Sequence, residues 1–278
     1  MDFQAVSKNY KRSDFDYLLL GVDIGATNTR FGVFGVKGEK LRLLCRSKAK
    51  SGRLTSLIRM INEAADYAEK NYKSALKKAC IGIAGIVSKE RGCAEMTNLD
   101  LKLDKKFLLK NTGLKEVLLV NDFEAIGYGI NILPGSSLIP IKKSDKIAKA
   151  PVVVIGAGTG LGKATLLYSN ELKCYVPLPS EAGHTDFAAQ SEEEIKLVNF
   201  IKRHEKMQSV SYEDVMSGRG LGRIYAFLGS RGIKPAKHAK EINKSKRNPE
   251  IISKYRKSDA ACKKTFDIFA QAYAKFAR

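Results

Sequence analysis

Residues 18–35 read Leu18-Leu-Leu-Gly-Val-Asp-Ile-Gly-Ala-Thr-Asn-Thr-Arg-Phe-Gly-Val-Phe-Gly35. Two apolar, β-prone runs flank a short polar turn, which predicts a strand, a tight turn and a second strand. The turn holds Asp23, Gly25, Thr27, Asn28, Thr29 and Arg30. Gly25 lets the backbone approach a ligand closely. Thr27, Asn28 and Thr29 offer short donors, and successive backbone N–H groups can line an anion-binding concavity. Asp23 is the odd member, because a carboxylate repels phosphate unless a cation stands between them. A phosphate-plus-magnesium site accommodates every one of these residues. A plain hairpin with a polar turn accommodates them too, so the rest of the chain must decide.

The chain has 278 residues, 44% hydrophobic and 28% charged, enough to bury a core in one large domain or two modest ones. No run is long and apolar enough to span a bilayer. The N-terminal stretch MDFQAVSKNYKRSDFDY lacks the apolar segment of a secretory signal, and residues 1–16 are expected as a disordered or loosely docked extension. Cys45, Cys80, Cys93, Cys174 and Cys262 are odd in number, with no CxxC spacing, which predicts free thiols in a reducing cytoplasm. The net charge of +20 favours anionic partners. Positive charge thickens between Arg231 and Lys264, but few aromatics are there to stack on bases, which argues against nucleic acid.

Beyond the opening hairpin, Lys40–Ser47 is predicted as a third strand. Leu54, Leu57, Ile58, Ile61, Ala65 and Ala68 recur in steps of three and four, the mark of an amphipathic helix over Leu54–Lys73. Lys78–Val87 reads as a buried strand, Gly92–Leu99 as a loop or short strand, Leu103–Asn111 as a short helix, Val117–Asn121 as a strand and Asp122–Ile130 as a helix. Pro134-Gly135 breaks the chain. Pro151–Tyr168 then repeats the opening design: an apolar strand, a glycine-rich turn and a second strand. Two such units, each opening a half, predict two related lobes, a small one over residues 17–132 and a large one over 133–278. Val176–Phe187 reads as a loop, Ser191–Lys206 as a helix with acidic residues in its first turn, the stretch into Leu228 as another, and Asp259–Arg278 as a closing basic helix.

The turn Gly156-Ala-Gly-Thr-Gly-Leu-Gly162 fails two familiar templates. For a dinucleotide fingerprint its third glycine falls one place early, and a strand rather than a helix follows. For a Walker A loop, Ala157 and Ala164 stand where glycine and Ser or Thr are needed. What remains is a hairpin whose backbone approaches phosphate, with Thr159 as a side-chain donor. Paired with Asp23–Arg30, it makes a two-sided phosphate clamp.

Asn121-Asp122 ends an apolar strand and opens a helix. The helix start stabilises a carboxylate there as the anion, although Asp also serves such positions as a plain cap. As a general base it would take a proton from a substrate hydroxyl attacking phosphorus. Glu181 and His184, in Ser180-Glu-Ala-Gly-His184, suit vicinal sugar hydroxyls, which both donate and accept. Glu213 and Asn98 lie in other polar loops. His204 and His238 carry no assigned role. No metal-ligand triad or Ser-His-Asp order is visible.

Taken together, these residues resemble the bacterial-type glucokinase family of the actin/hexokinase fold group, in family order from about Tyr17 onward. Asp23-Ile-Gly-Ala-Thr-Asn-Thr-Arg30 resembles the first phosphate motif and Gly156–Gly162 the second. Met96-Thr-Asn98 resembles the sugar-contacting asparagine segment, and Val120-Asn-Asp-Phe-Glu-Ala125 the catalytic-aspartate motif. Glu181-Ala-Gly-His184 resembles the sugar loop, and Ser211–Gly218 the segment carrying a further sugar-binding glutamate. Ile86 stands where the family usually has proline, and the zinc-binding cysteines of the related repressor/sugar-kinase group are absent. The resemblance implies an α/β, actin-like, ribonuclease H-like duplicated two-lobe fold with mixed sheets and an interlobe cleft. It implies ATP-dependent phosphorylation of glucose at the 6-hydroxyl, with Asp122 as base. Asn98, Asn121, Asp122, Glu181, His184 and Glu213 would bind the sugar. Gly25, Ala26, Thr27, Asn28, Gly158, Thr159 and Gly160 would approach ATP, and Asp23 would hold Mg2+ through water. A cytoplasmic homodimer without nucleic-acid or membrane partners is expected. The resemblance also places Arg278 inside the long helix that precedes the family's glycine-rich adenosine motif, so the large lobe is expected to be incomplete. A kinase of another hexose, or a non-catalytic sugar-sensing or nucleic-acid-binding relative, would share these motifs.

Overall fold

A computed structural model describes residues 1–6, 10–25, 27–96, 100–142, 148–233, 238–244 and 248–278. They form two compact units, Met1–Leu138 and Ile139–Arg278. In the first unit come β1 (Gln4–Ala5), β2 (Tyr17–Ile24), β3 (Asn28–Lys37), β4 (Lys40–Lys50), α1 (Leu54–Tyr72) and β5 (Leu76–Ile83). They are followed by β6 (Gly85–Val87), β7 (Cys93–Met96), β8 (Lys102–Asp104), α2 (Lys105–Asn111), β9 (Glu116–Asn121) and α3 (Asp122–Ile130).

The main sheet runs β1-β4-β3-β2-β5-β9. Its β2–β3–β4 part is an antiparallel meander, and β5 and β9 join parallel to β2. Alternation on β2 buries Leu18, Leu20, Val22 and Ile24. They share a core with Leu57, Ile61 and Ala68 of α1, which helical spacing marks, and with Met60 and Ala64, which it does not; Leu54, Ile58 and Ala65 are only partly buried against it. The parallel strands end together, with Ile24, Ile83 and Asn121 in register across the sheet. Strands β6-β7-β8 form a separate antiparallel sheet.

The second unit holds β10 (Val152–Ala157), β11 (Leu161–Ser169) and β12 (Cys174–Ser180), an antiparallel sheet in that order. Then come α4 (Glu192–Glu205), α5 (Tyr212–Val215), α6 (Gly218–Ser230), α7 (Ala239–Lys244), α8 (Asn248–Tyr255) and α9 (Ala260–Phe276). Helix α6 is the hub: Ile224, Phe227 and Leu228 pack with Leu197 and Ile201 of α4 and Ile268 of α9. A reciprocal Ser191/Glu194 cap starts α4, and left-handed Lys206 ends it. Both units therefore carry the strand–turn–strand design at the head of an antiparallel meander. Among the described residues, β10 has no parallel neighbours matching β5 and β9.

Several expectations need correcting. The N-terminal residues are not loosely docked: β1 pairs with β4, the terminal ammonium pairs with Glu63, and Phe15 is buried in the first core. The segment 176–187, expected as a loop, supplies β12 and a 3-10 turn over Ala182–His184. Pro177 and Pro179 argue against an inner strand, but β12 lies at the sheet edge, where a missing N–H costs no ladder bond. The predicted strand 78–87 divides at Ala84, because β6 leaves the main sheet to pair with β7. The short helix begins at Lys105, where Asp104 caps it through the Phe107 N–H. All five cysteines are free thiols, and among the described residues no helix is long and apolar enough to cross a membrane.

Candidate active site

The first unit gathers its predicted residues at the carboxyl edge of β2, β5 and β9. Asp23 lies opposite Gly82 of β5, which lies opposite Val120 of β9. Two strand spacings, about 10 Å, therefore separate the Asp23 strand from the strand carrying Asn121. The start of α3 lies directly over β5 here: a Cβ built on Gly82 would be in ordinary contact with it, 3.5 Å from Ala125 Cβ and 3.9 Å from Asp122 Cα.

Asn121 is the cap of α3. Its Oδ1 accepts the N–H groups of Phe123 at 2.9 Å and Glu124 at 3.3 Å, and its Nδ2 donates to Gly85 O at 3.0 Å. Asp122 Oδ1 accepts the Phe123 N–H at 2.9 Å. The carboxylate therefore stands at the positive end of a helix, where the anion is favoured. The Asp23–Arg30 turn is closed by Gly25 N–H donating to Asn28 O at 3.0 Å. Ser51, just past β4, buttresses it: its Oγ donates to Gly25 O at 2.5 Å and lies 3.0 Å from Thr29 Oγ1, and its N–H donates to Thr27 O at 3.1 Å. Asp23 pairs with Arg30 at 2.7 Å, both half exposed. Ala26 and Asn98 lie outside the described residues.

In the second unit, Gly158, Thr159 and Gly160 form the β10–β11 turn. Gly158 N–H donates to Gly160 O at 2.8 Å, and Gly218 N–H at the start of α6 donates to Gly158 O at 2.8 Å. Glu213, in α5, reaches this turn. Its Oε2 accepts the Leu161 N–H at 2.9 Å, and its Oε1 accepts from Arg219 Nη2 at 3.0 Å. A Cβ on Gly160 would stand only 2.6 Å from Glu213 Oε2. The Glu181–His184 turn abuts the same place: a Cβ on Gly183 would stand 2.1 Å from Leu161 O, so only glycine fits. His184 Nε2 is 3.7 Å from Glu181 Oε2, and both side chains are exposed. The Tyr212 N–H donates to Thr185 O at 3.0 Å, which ties this loop to α5. Leu161 is thus the meeting point of the glycine turn, the Glu181–His184 turn and Glu213.

Beneath α5, Arg223 donates to Glu205 at 2.5 and 2.7 Å and to Asp214 Oδ1 at 2.7 Å. These donors hold the Glu205 carboxyl below its ordinary range. Burial pushes Asp214 up, but bonds from Ser211 and Arg223 outweigh it and leave that carboxyl lowered too. Sequence reasoning did not single out Ser51, Arg219 or Arg223, because nothing in their local pattern marks them. Ser51 acts through Gly25, 26 positions away, Arg223 through Glu205 and Asp214, 18 and 9 away, and Arg219 through Glu213, 6 away.

No group of three or more His, Cys, Asp or Glu is clustered to hold a metal among the described residues. Asp23 alone suits an ion that keeps its waters and shares a nucleotide's phosphates, the usual habit of magnesium.

A glucokinase of Nostoc sp. is 35% identical over 217 residues, 78% of this chain and 62% of that protein. A glucokinase of Escherichia coli is 33% identical over 213 residues, 75% of this chain and 61% of that protein. The chain thus matches about three-fifths of the length of these relatives, as the 62% and 61% figures show. Among solved structures, glucokinase from Balamuthia mandrillaris in complex with glucose is similar with a TM-score of 0.73 at 24% identity, over 91% of this chain and 73% of that one. Glucokinase from an Antarctic psychrotroph is similar with a TM-score of 0.67 at 23% identity, over 92% and 76%. The fold is the mixed α/β, actin-like fold of these sugar kinases. The glucokinase family model matches residues 20–278. This chain belongs to the glucokinase family.

Proposed function

We propose that the chain performs the phosphoryl transfer of a glucokinase, moving the terminal phosphoryl group of ATP to the 6-hydroxyl of glucose. The observation that carries this reading is the placement of Asp122 at a helix start on the same sheet edge as the Asp23–Arg30 turn, in a chain of this family. Asp122 accepts the proton of the 6-hydroxyl as that oxygen attacks phosphorus. The N–H groups of Gly25 and Gly158 close the two turns, and with those glycines letting the backbone come close, the N–H groups of Ala26, Thr27 and Asn28 and those of Thr159 and Gly160 donate to phosphate oxygens. Asp23 would hold magnesium through the ion's waters, and the ion would supply neutralisation of phosphate charge. Asn98, Asn121, Glu181, His184 and Glu213 orient the sugar hydroxyls. Glu213 already serves Leu161 and Arg219, but a carboxylate has about four lone-pair sites, so a hydroxyl can share it. The reading extends to a cytoplasmic homodimer, which light scattering tests.

The test is glucose-dependent ADP formation with ATP and magnesium, run across a panel of hexoses. Asp122→Asn should lower kcat by about a hundredfold or more, while calorimetry still detects glucose binding. Wild-type turnover in that variant would remove the base assignment. Preference for another hexose would move the substrate, not the chemistry.

A further inference from the structure

We infer that Arg91 and Glu124 are positioning residues for Asp122: together they clamp the strand–helix junction that presents it. The inference rests on the role proposed above for Asp122.

Arg91 lies in the turn between β6 and β7, and its guanidinium bridges the junction. Nη1 donates to Leu119 O at 3.3 Å, two residues before Asn121. Nη1 and Nη2 donate to Glu124 Oε2 and Oε1 at 3.1 and 2.5 Å, two residues after Asp122. Glu124 is 5% exposed, although it sits in the first turn of a helix where a buried apolar residue would cost less. The pairing also raises the Arg91 pKa, so the guanidinium stays charged throughout.

The backbone is arranged to deliver that side chain. Arg91 has φ 53°, a left-handed conformation uncommon for a residue with a Cβ, and its N–H donates to Ser88 O at 2.8 Å. A second tie runs from Asn121 Nδ2 to Gly85 O. At Gly85 the two strands approach so closely that a Cβ would stand 2.1 Å from Glu95 O. The β6–β7 hairpin therefore grips the end of β9 and the start of α3 from both sides of Asp122.

A two-pronged charged fork fixes distance and angle where an apolar contact fixes only distance. A general base needs both, since misplacement by about 1 Å can cost about a hundredfold in rate. This gives the half-buried ion pair a purpose that stability alone does not.

The experiment compares wild type, Arg91→Met, Arg91→Lys and the double variant Arg91→Met/Glu124→Met, in the full chain. The double variant replaces both charges, so it avoids a stranded buried carboxylate and should fold even where Arg91→Met does not. The expected result is a kcat lowered about 10- to 100-fold in the double variant, with glucose affinity by calorimetry within about threefold and the melting temperature close to wild type. Arg91→Lys, which keeps the charge but not the fork, should fall between. A kcat within twofold of wild type in the stable double variant overturns the inference, as does a loss confined to KM. If wild type itself makes no ADP, the functional reading fails. The clamp is then judged by amide hydrogen exchange at Phe123 and Glu124. Exchange about tenfold faster in the double variant, with β2 unchanged, supports it, and unchanged exchange overturns it.

Discussion

The two glycine turns share a design and differ in what holds them. The Gly25 turn joins β2 to β3 and is braced by Ser51, at the end of the same meander. Its bonds join residues within 26 positions of one another and need little beyond the hairpin and β4. The Gly158–Gly160 turn joins β10 to β11, yet its braces arrive from α5, α6 and the Ala182–His184 turn. Leu161 and Glu213 stand 52 positions apart. The first turn is a local structure. The second is the product of helices packing around Leu161, which ties the segments carrying Glu181, His184 and Glu213 to it.

The sharpest way to break this contrast is Arg223→Met. Arg223 is mostly buried and serves Glu205 and Asp214 together. Removing it strands the mostly buried Asp214 carboxylate, while the more exposed Glu205 turns to water, and should destabilise the second unit by about 3 kcal/mol. Denaturant unfolding measures the loss, and exchange at Gly158 and Leu161 should quicken while Gly25 and Asn28 stay protected. Equal loss at both turns would show that they are not independently held. Next in size is Glu213→Ala, which leaves the buried Leu161 N–H without its acceptor, at a cost of about 1–3 kcal/mol. Its effect should again stop at the second turn. Ser51→Ala is the mirror experiment: about 1 kcal/mol, with faster exchange at Gly25 and Thr27 and none at Leu161.

The smallest effect is acid sensitivity. Glu205 and Asp214 have folded pKa values below their ordinary 4.5 and 3.8. The stability they contribute is complete above those values and is lost as pH falls through the lower folded ones. The bonds bracing the Gly25 turn are hydroxyl and backbone bonds, which do not titrate. Exchange in α5 and α6 should therefore rise before exchange at Gly25 in a titration from neutral pH downward. Simultaneous opening would contradict the assignment of these carboxylates as the acid-sensitive anchor.

Much of the fold was legible because its signals are periodic and local. Steps of three and four marked α1, which spans Leu54–Tyr72, and the apolar run ending in Asn121-Asp122 marked the β9–α3 junction. The apolar, β-prone run of Leu18–Ile24 marked β2. The strand β12 was missed because prolines at 177 and 179 mimic a loop, and only its edge position excuses them. The docking of Gln4–Ala5 on β4 was missed because a two-residue strand carries no period. In the site, residue types were legible and their company was not. Asn121, expected at the sugar, is also the α3 cap and a tie to β6. Glu213, expected at the sugar, also props the glycine turn.

By itself, then, the sequence determined the strand–turn–strand units, the helix that opens at Asp122 and the kinds of group each turn offers, because backbone preference and hydrophobic period act over a few residues. Only the tertiary structure decided that Asp122 stands beside Gly82, that Arg91 and Glu124 grip its junction, and that Glu213 and Gly183 converge on Leu161. Those contacts join residues separated by tens of positions, and burial and hydrogen-bond satisfaction become specific only once the elements have packed.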